Sequence, residues 1–348
     1  MADPKPLSFL DLVERCDIFR PGAPSKDFAD EELLPFHLNP APDSPKIGLL
    51  RPVIVDALYK ENESKGEGQK LWEFLSSPRR VSLSRTLDTP GKRSAALREL
   101  AERWRDEEKF PDVCGPRKWR GELYPVYADP FARHDYPTPE QWDAPDSGSL
   151  NFVFDLERSA CALFGIVTYG VHMSAFEESA DGQLRIWVPT RAKTKQTWPG
   201  YLDNTVAGGI PSGMSAWDSL VKECMEEASI DADVVNRLCR CTGAISYFYR
   251  TSTGWLQPEV EYTYDLRIPT GADPSLFKPK PLDGEVESFE FLSQDEVITK
   301  MRAGLFKYNC ATVLIHLFIR LGYITPENYP DFLQVVTRLH GRFDMQRW

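Results

Sequence analysis

The sequence predicts an α/β (α+β) chain in two parts: a mixed α/β N-terminal domain over residues 1–165, and a strand-rich domain with interleaved helices over residues 166–348. A length of 348 residues exceeds one small domain and leads us to expect two. A hydrophobic content of 42%, with nine Trp, thirteen Tyr and nineteen Phe, is ample for real cores. Beyond residue 166, runs of β-branched and aromatic residues alternate with helical patterns, as expected of strands and helices that share a core.

In chain order, residues 21–45 are rich in turn formers and residues 61–68 (ENESKGEG) read as an exposed loop. Residues 47–59 (IGLLRPVIVDALY) are apolar enough for burial, and residues 94–108 read as a charged amphipathic helix. Residues 129–148 hold four prolines and few aliphatics, so they should connect elements. Residues 150–164 fit a strand and a short helix that dock the halves together. In the second half, residues 166–175, 184–189, 241–250, 259–268 and 286–292 have strand composition. Ser293-Gln-Asp-Glu-Val starts a helix, and residues 308–321 form another with an apolar face.

The most informative stretch is residues 208–230, GGIPSGMSAWDSLVKECMEEASI. Ser215 three residues before Asp218 resembles a capping box, so a helix should start there. On that helix Glu223, Glu226 and Glu227 fall at about 0°, −60° and +40°, on one polar stripe. Trp217, Leu220, Val221, Cys224 and Ala228 fall on the other side and should pack on a sheet. Crowded carboxylates repel one another, and a hard divalent cation is the usual compensation. A glutamate stripe is also what a solvated helix face looks like. Ahead of the helix, Ala207-Gly208-Gly209 and Gly213 supply backbone without side chains, which a phosphate can approach closely.

Loop, capped helix and stripe together resemble the Nudix box: Gly, five residues, Glu, seven residues, Arg-Glu-apolar-any-Glu-Glu-any-Gly-apolar. Gly208, Glu223, Cys224, Glu226, Glu227 and Ile230 stand in register with it. Met214, Lys222 and Ser229 replace its first Glu, its Arg and its last Gly. Lys222 keeps the charge of arginine without its two-pronged donor. Residues 184–209, Leu156-Glu157-Arg158, Leu163-Phe164-Gly165, Gly170-Val171-His172 and Pro258-Glu259-Val260 are similar to a Nudix subgroup with an extra N-terminal domain. That subgroup is related to the Nudix part of thiamine pyrophosphokinase fusion proteins and commonly lacks the first Glu of the box, so Met214 looks like a subgroup trait.

The resemblance implies an α/β/α sandwich on a mixed sheet, Mg²⁺ (Mn²⁺ as an alternative) as cofactor, and hydrolysis of a diphosphate bond. Implied metal ligands are Glu223, Glu226 and Glu227, with Glu285 added from the Asp283-Gly-Glu-Val-Glu287 segment. The catalytic set is the same three box glutamates with Lys222. A glutamate of the box or of the Glu285 region would take a proton from the attacking water. Edge-strand solubility is the simpler account of Glu285 and Glu287. The subgroup's substrates imply thiamine diphosphate and, preferentially, its oxidised, damaged analogues, giving the monophosphate plus phosphate. With no kinase domain in these residues, hydrolysis is expected and synthesis is not. A nucleoside-diphosphate-sugar or dinucleotide pyrophosphatase, and a non-catalytic diphosphate-sensing Nudix module, are the competing readings.

Gly208, Gly209, Arg191, Lys193, Lys195, Trp198 and Tyr201 are candidate substrate contacts, the bases for phosphate and the aromatics for a ring. A solvated basic turn over a packed tryptophan fits the same residues. His172 is expected to be a buried structural histidine.

A small-molecule diphosphate is the partner the resemblance implies, and composition argues against other classes. A net charge of −11 argues against nucleic acid, whose backbone is bound by excess Lys and Arg. Residues 159–176 are uncharged but interrupted by Gly165, Gly170 and His172, which fits a helix end and a buried strand and not a membrane span. The seven cysteines lack zinc spacing and read as reduced thiols. Met1-Ala-Asp-Pro-Lys-Pro-Leu has no basic region followed by an apolar one, so no signal peptide is expected. A cytoplasmic location follows, with an organelle as the alternative.

Overall fold

The computed structural model describes residues 5–19, 28, 31–66, 68–146, 149–341 and 343. The expected turns within 21–27 and 29–30, and parts of the expected loops at 67 and 147–148, lie outside the described residues.

Ser8 caps α1 (Phe9–Cys16), its hydroxyl accepting from the Asp11 N–H while the Asp11 carboxylate accepts from the Ser8 N–H. There follow β1 (Leu34–His37), β2 (Lys46–Leu50), α2 (Pro52–Glu63), β3 (Trp72–Ser76), β4 (Arg79–Leu83) and α3 (Pro90–Asp106). The four strands form one sheet in the order β2-β1-β4-β3. The apolar run 47–59 is split at Pro52, whose missing N–H costs nothing in a first helical turn but ends a strand. The expected loop at 61–68 begins inside α2, because buried Asn62 grips the Trp72 backbone through both its amide groups. Next come β5 (Leu123–Tyr127), α4 (Pro139–Trp142), β6 (Phe152–Glu157) and α5 (Cys161–Phe164), with β5 and β6 an antiparallel ribbon. Phe36, Trp72, Trp104 and Phe164 centre the core of this half.

The second half contains β7 (Thr168–Glu178), β8 (Leu184–Arg191), β9 (Val206–Gly209), α6 (Ala216–Ala228), α7 (Ala232–Leu238), β10 (Cys239–Arg250), β11 (Leu256–Arg267), β12 (Val286–Ser293), α8 (Gln294–Arg302), α9 (Tyr308–Arg320) and α10 (Phe332–Leu339). The sheet runs β10-β11-β7-β8-β12, with β9 also on β7. Since β11 and β7 are parallel and the other pairs antiparallel, the sheet is mixed. The two-residue strand period divides its faces. Val171, Met173 and Ala175 pack with Leu220, Cys224 and Ala228 of α6 and Val235 of α7. Ile186, Val188 and Ile245 pack with Leu12, Val297, Leu314 and Leu339 from α1, α8, α9 and α10. Helices therefore cover both faces, the α/β/α sandwich the sequence led us to expect. Helix α1, first in the chain, packs beside α9 in this outer layer, which is why every residue from Asn309 to Phe318 is buried. Residues 159–176 divide between α5 and β7 at left-handed Gly165 (φ 56°). Among the described residues no helix is long and apolar enough to cross a membrane.

The β5–β6 ribbon of the first half pins the loop between β9 and α6. Ser212 N–H donates to the Leu123 carbonyl at 2.9 Å, and the Ser212 hydroxyl donates to Asp155. The Tyr124 hydroxyl occupies the place a Cβ on Gly209 would take. Gly209→Ala should therefore cost about 1–3 kcal/mol, as overpacking does. Chemical denaturation measures it, and a background of Tyr124→Leu should recover most of the loss.

Candidate active site

Helix α6 starts where its sequence says it should. The Ser215 hydroxyl accepts from the Asp218 N–H at 3.0 Å and donates to the Asp218 carboxylate at 2.6 Å. At its far end Ser229 is left-handed (φ 54°), the conformation for which the box carries glycine, and its hydroxyl donates to the Lys280 carbonyl at 2.9 Å.

The glutamate stripe is divided by burial. Glu223 and Glu226 are half-buried and line a cleft of ≈ 1120 Å³. Glu227 is only 6% exposed. It turns under β9 and accepts the Ala207 N–H at 3.0 Å. The exposed stripe expected from helical geometry thus holds for two of the three glutamates, because α6 lies on β9 and covers the third. Lys222, standing where the box has arginine, is 3.2 Å from Glu226 and 3.6 Å from Glu223. Burial raises the pKa of Glu223, Lys222 opposes it, and Glu226 adds to it. Burial, then the nearby Asp203 charge, pushes Glu227 up to about 8. Carboxylates this desolvated need a proton or a cation to neutralise them. A set made only of hard oxygens fits a divalent hard cation.

Gly208 and Gly209 lie in β9 and not in a loop. Their missing side chains admit protein neighbours: Glu223 crosses Gly208, and Tyr124 fills the space over Gly209. Both still line the cleft. Of the box glycines, Gly213 is the one at positive φ (80°).

The other predicted residues separate into cleft and periphery. Arg191 borders the cleft, but its guanidinium is committed to Asp203 at 2.6 Å and to the carbonyls of Trp198 and Thr197. Lys195 pairs with Glu285, and both line the cleft. Lys193 is exposed, reaches Glu287 only at 4.0 Å and lies outside the cleft lining. Trp198 lines the cleft between Tyr201 and Tyr308, with ring centroids 4.9 and 4.5 Å away. Tyr201 stands behind it and Tyr308 shares the lining.

Two groups in the cleft escaped the sequence reading. The first half supplies Lys118, Arg120, Glu122 and Arg158, with Arg158 paired to Glu122 at 2.8 Å. The floor is formed by His172, Tyr247, Glu259, Glu261, Lys307 and Asn309. His172 is buried as expected and hydrogen-bonds Asn204 at 2.7 Å. A signal for the floor was present: glutamates at i and i+2 of a strand share one face. His172 of the floor, with Asp203 and Cys310, holds potential ligand atoms within 4.8 Å of one another. Lys307 and Arg191 keep Asp203 down at about 2 despite its burial, and Cys310 donates to it. With its charge already matched, that trio does not fit a cation.

The NUDIX domain family model matches residues 169–310, from β7 into α9, and so takes in both the box helix and the floor. Residues 169–310 are thus similar to the Nudix domain family. The chain is 40% identical over 198 residues to an uncharacterized protein, YJR142W, of Saccharomyces cerevisiae, covering 54% of this chain and 56% of that one. It is 35% identical over 263 residues to Nudix hydrolase 20, chloroplastic, of Arabidopsis thaliana, covering 75% of this chain and 62% of the relative. Nudix hydrolase 24, chloroplastic, of the same plant is 33% identical over 262 residues, covering 75% and 63%. The chain thus spans less than two thirds of the length of each. Both Arabidopsis matches extend well beyond the 142 residues from 169 to 310, so the likeness is not confined to the Nudix domain.

Proposed function

We propose that the chain hydrolyses the diphosphate bond of thiamine diphosphate and, in preference, of its oxidised analogues, releasing the monophosphate and phosphate. The observation that carries the hydrolase part is the cleft itself, where Glu223 and Glu226 share one lining with Lys118, Arg120, Arg158 and Lys195. Carboxylates and bases in one cleft suit a diphosphate held together with a cation. Two relatives named as Nudix hydrolases support the same class. Mg²⁺, or Mn²⁺ in its place, would be held by Glu223, Glu226 and Glu227, with Glu285 at the rim, and when bound would offset phosphate charge and acidify a water. Lys222 keeps Glu223 and Glu226 together, which favours a working box over a sensing module. Lys195, Arg120 and Arg158 are the chain's own groups for phosphate oxygens.

The thiamine part rests on the subgroup resemblance and on Trp198 with Tyr308, an aromatic surface for a flat ring. Discrimination between intact and oxidised compounds must arise at that ring, since the diphosphate is common to both. One observation favours the dinucleotide reading: ≈ 1120 Å³ is above the roughly 300–1,000 Å³ of common ligand pockets. The organelle alternative rests on the two relatives named as chloroplastic.

A panel of diphosphates with Mg²⁺, read by released phosphate and monophosphate, decides the substrate. Oxidised thiamine diphosphates should give the highest kcat/KM, and Trp198→Ala should raise their KM more than that of a dinucleotide. A nucleotide sugar or dinucleotide that outruns every thiamine compound removes the substrate assignment and leaves the diphosphatase.

A further inference from the structure

Glu259 and Glu261 stand two residues apart on β11, so their side chains leave the same face of the strand, toward the cleft floor. Tyr247 on the neighbouring strand β10 meets both. Its hydroxyl is in hydrogen-bond contact with Glu259 Oε2 and lies 2.8 Å from Glu261 Oε1. Asn309 Nδ2 donates to the Tyr247 oxygen at 3.0 Å and to Glu261 Oε1 at 3.3 Å.

The protons do not suffice for two ionised carboxylates. A phenol has one O–H, and it can point at only one of them. The other would press a charged oxygen against a phenolic lone pair, unless that carboxyl itself carries a proton. The neighbours decide which one does. Glu261 has Asn309 and, at 3.5 Å, His172 Nε2 beside it. Glu259 meets the Tyr247 hydroxyl and the Glu261 carboxyl itself. Burial, then Glu261, pushes Glu259 up to about 7, whereas His172 holds Glu261 at about 2 despite burial. The other charged or titratable groups that face Glu259 are Lys307 ahead of α9, Cys16 of α1, and Tyr124 and Arg158 of the first half. Two adjacent carboxyls of unlike proton affinity make an acid–base pair.

The pair also adjoins the box. Residues 170 and 171 of β7 are ladder partners of Gly209 and Gly208. The Glu261 carboxylate occupies the place of a Cβ on Gly170, and Glu223 that of a Cβ on Gly208. Neighbouring positions of a strand face opposite sides of the sheet, so the two carboxylates approach this ladder from its two faces, and Arg158 is a charged neighbour of both Glu223 and Glu259.

We propose that Glu259 is the proton acceptor of the hydrolytic step, with Tyr247 and Glu261 positioning and tuning it. The inference rests on the hydrolase reading above. In the step, the water oxygen forms a bond to phosphorus while the bridging P–O bond breaks. The leaving phosphate keeps that bond's electron pair, and the water's proton passes to Glu259 in its ionised form, which prevails above about pH 7, then to solvent.

The experiment compares wild type with Glu259→Gln, Glu261→Gln and Tyr247→Phe on the preferred diphosphate with Mg²⁺, across a pH series. Glu259→Gln should lose about 10²–10⁴-fold in kcat. Glu261→Gln removes a neighbouring negative charge, so the acid limb of kcat/KM should move to lower pH. Tyr247→Phe removes a hydrogen bond that favours the ionised form, so the limb should move to higher pH. Infrared difference spectra between about pH 5 and about pH 9 should lose one protonated-carboxyl band in Glu259→Gln. If Glu259→Gln does not fold, the two opposite limb shifts still decide the matter. Unmoved limbs, or wild-type kinetics in Glu259→Gln, overturn the proposal alone. A wild type inactive on every diphosphate overturns the hydrolase reading and this inference with it.

Discussion

Glu223→Gln should lower kcat on the preferred diphosphate by at least roughly 10²–10⁴-fold, the range for a positioned acid–base or metal-holding group, and leave the fold intact. Its carboxylate lines the cleft, crosses over Gly208 and sits 3.6 Å from Lys222. An amide of the same shape keeps that packing and loses the charge, so circular dichroism and denaturation midpoints should stay near wild type while Mg²⁺ affinity falls. Glu226→Gln should act in the same direction and more weakly, because Glu226 is the more exposed of the two, at 47% against 16% for the side chains. Near-normal activity in both variants would remove the metal assignment and favour a diphosphate-sensing domain.

The box was legible because its constraints are local. A cap, an apolar stripe and carboxylates at fixed helical spacing can all be read within 23 residues, and the helix appears where they place it. Strands β7, β8, β10, β11 and β12 were legible through their β-branched and aromatic composition. Short strands β1, β3 and β9 were not, for they depend on partners distant in sequence. The box glycines were visible but their purpose was not: whether a glycine admits phosphate or protein depends on what crosses it, here Glu223 and Tyr124. Arg191 shows the same limit. Its charge and place before the box suggested phosphate, and only the tertiary structure reveals Asp203 12 residues on as its partner. The contribution of the first half to the cleft, through Arg120 and Arg158, lay beyond any local pattern. It offers a physical reason for a long N-terminal segment to accompany the Nudix domain.

Removing the charge of Glu227 should make the metal-free protein more stable at alkaline pH, not less. The carboxyl titrates near 4.5 in a solvated chain, and burial with Asp203 nearby raises it to about 8 in the fold. A raised folded pKa means that its stabilising contribution is fully present below the unfolded value. It is lost as pH rises from about 4.5 to about 8, because unfolding then frees a carboxylate that the fold desolvates. Glu259 contributes the same sign up to about 7, so the comparison must be wild type against Glu227→Gln and not one protein against pH. The amide oxygen of glutamine can still accept the Ala207 N–H, which keeps the packing of α6 on β9. At about pH 8 without divalent cations, Glu227→Gln should exceed wild type in Tm by at least roughly 1–2 °C, equivalent to about 1 kcal/mol in a chain of this length. Near pH 5 the two should converge. Adding Mg²⁺ should reverse the order, since a cation stabilises the ionised carboxylate of wild type and finds one ligand fewer in the variant. The Mg²⁺-induced rise in wild-type Tm should accordingly grow with pH. Parallel melting profiles of the two proteins, with and without Mg²⁺, would mean that Glu227 neither carries a displaced proton equilibrium nor holds the metal.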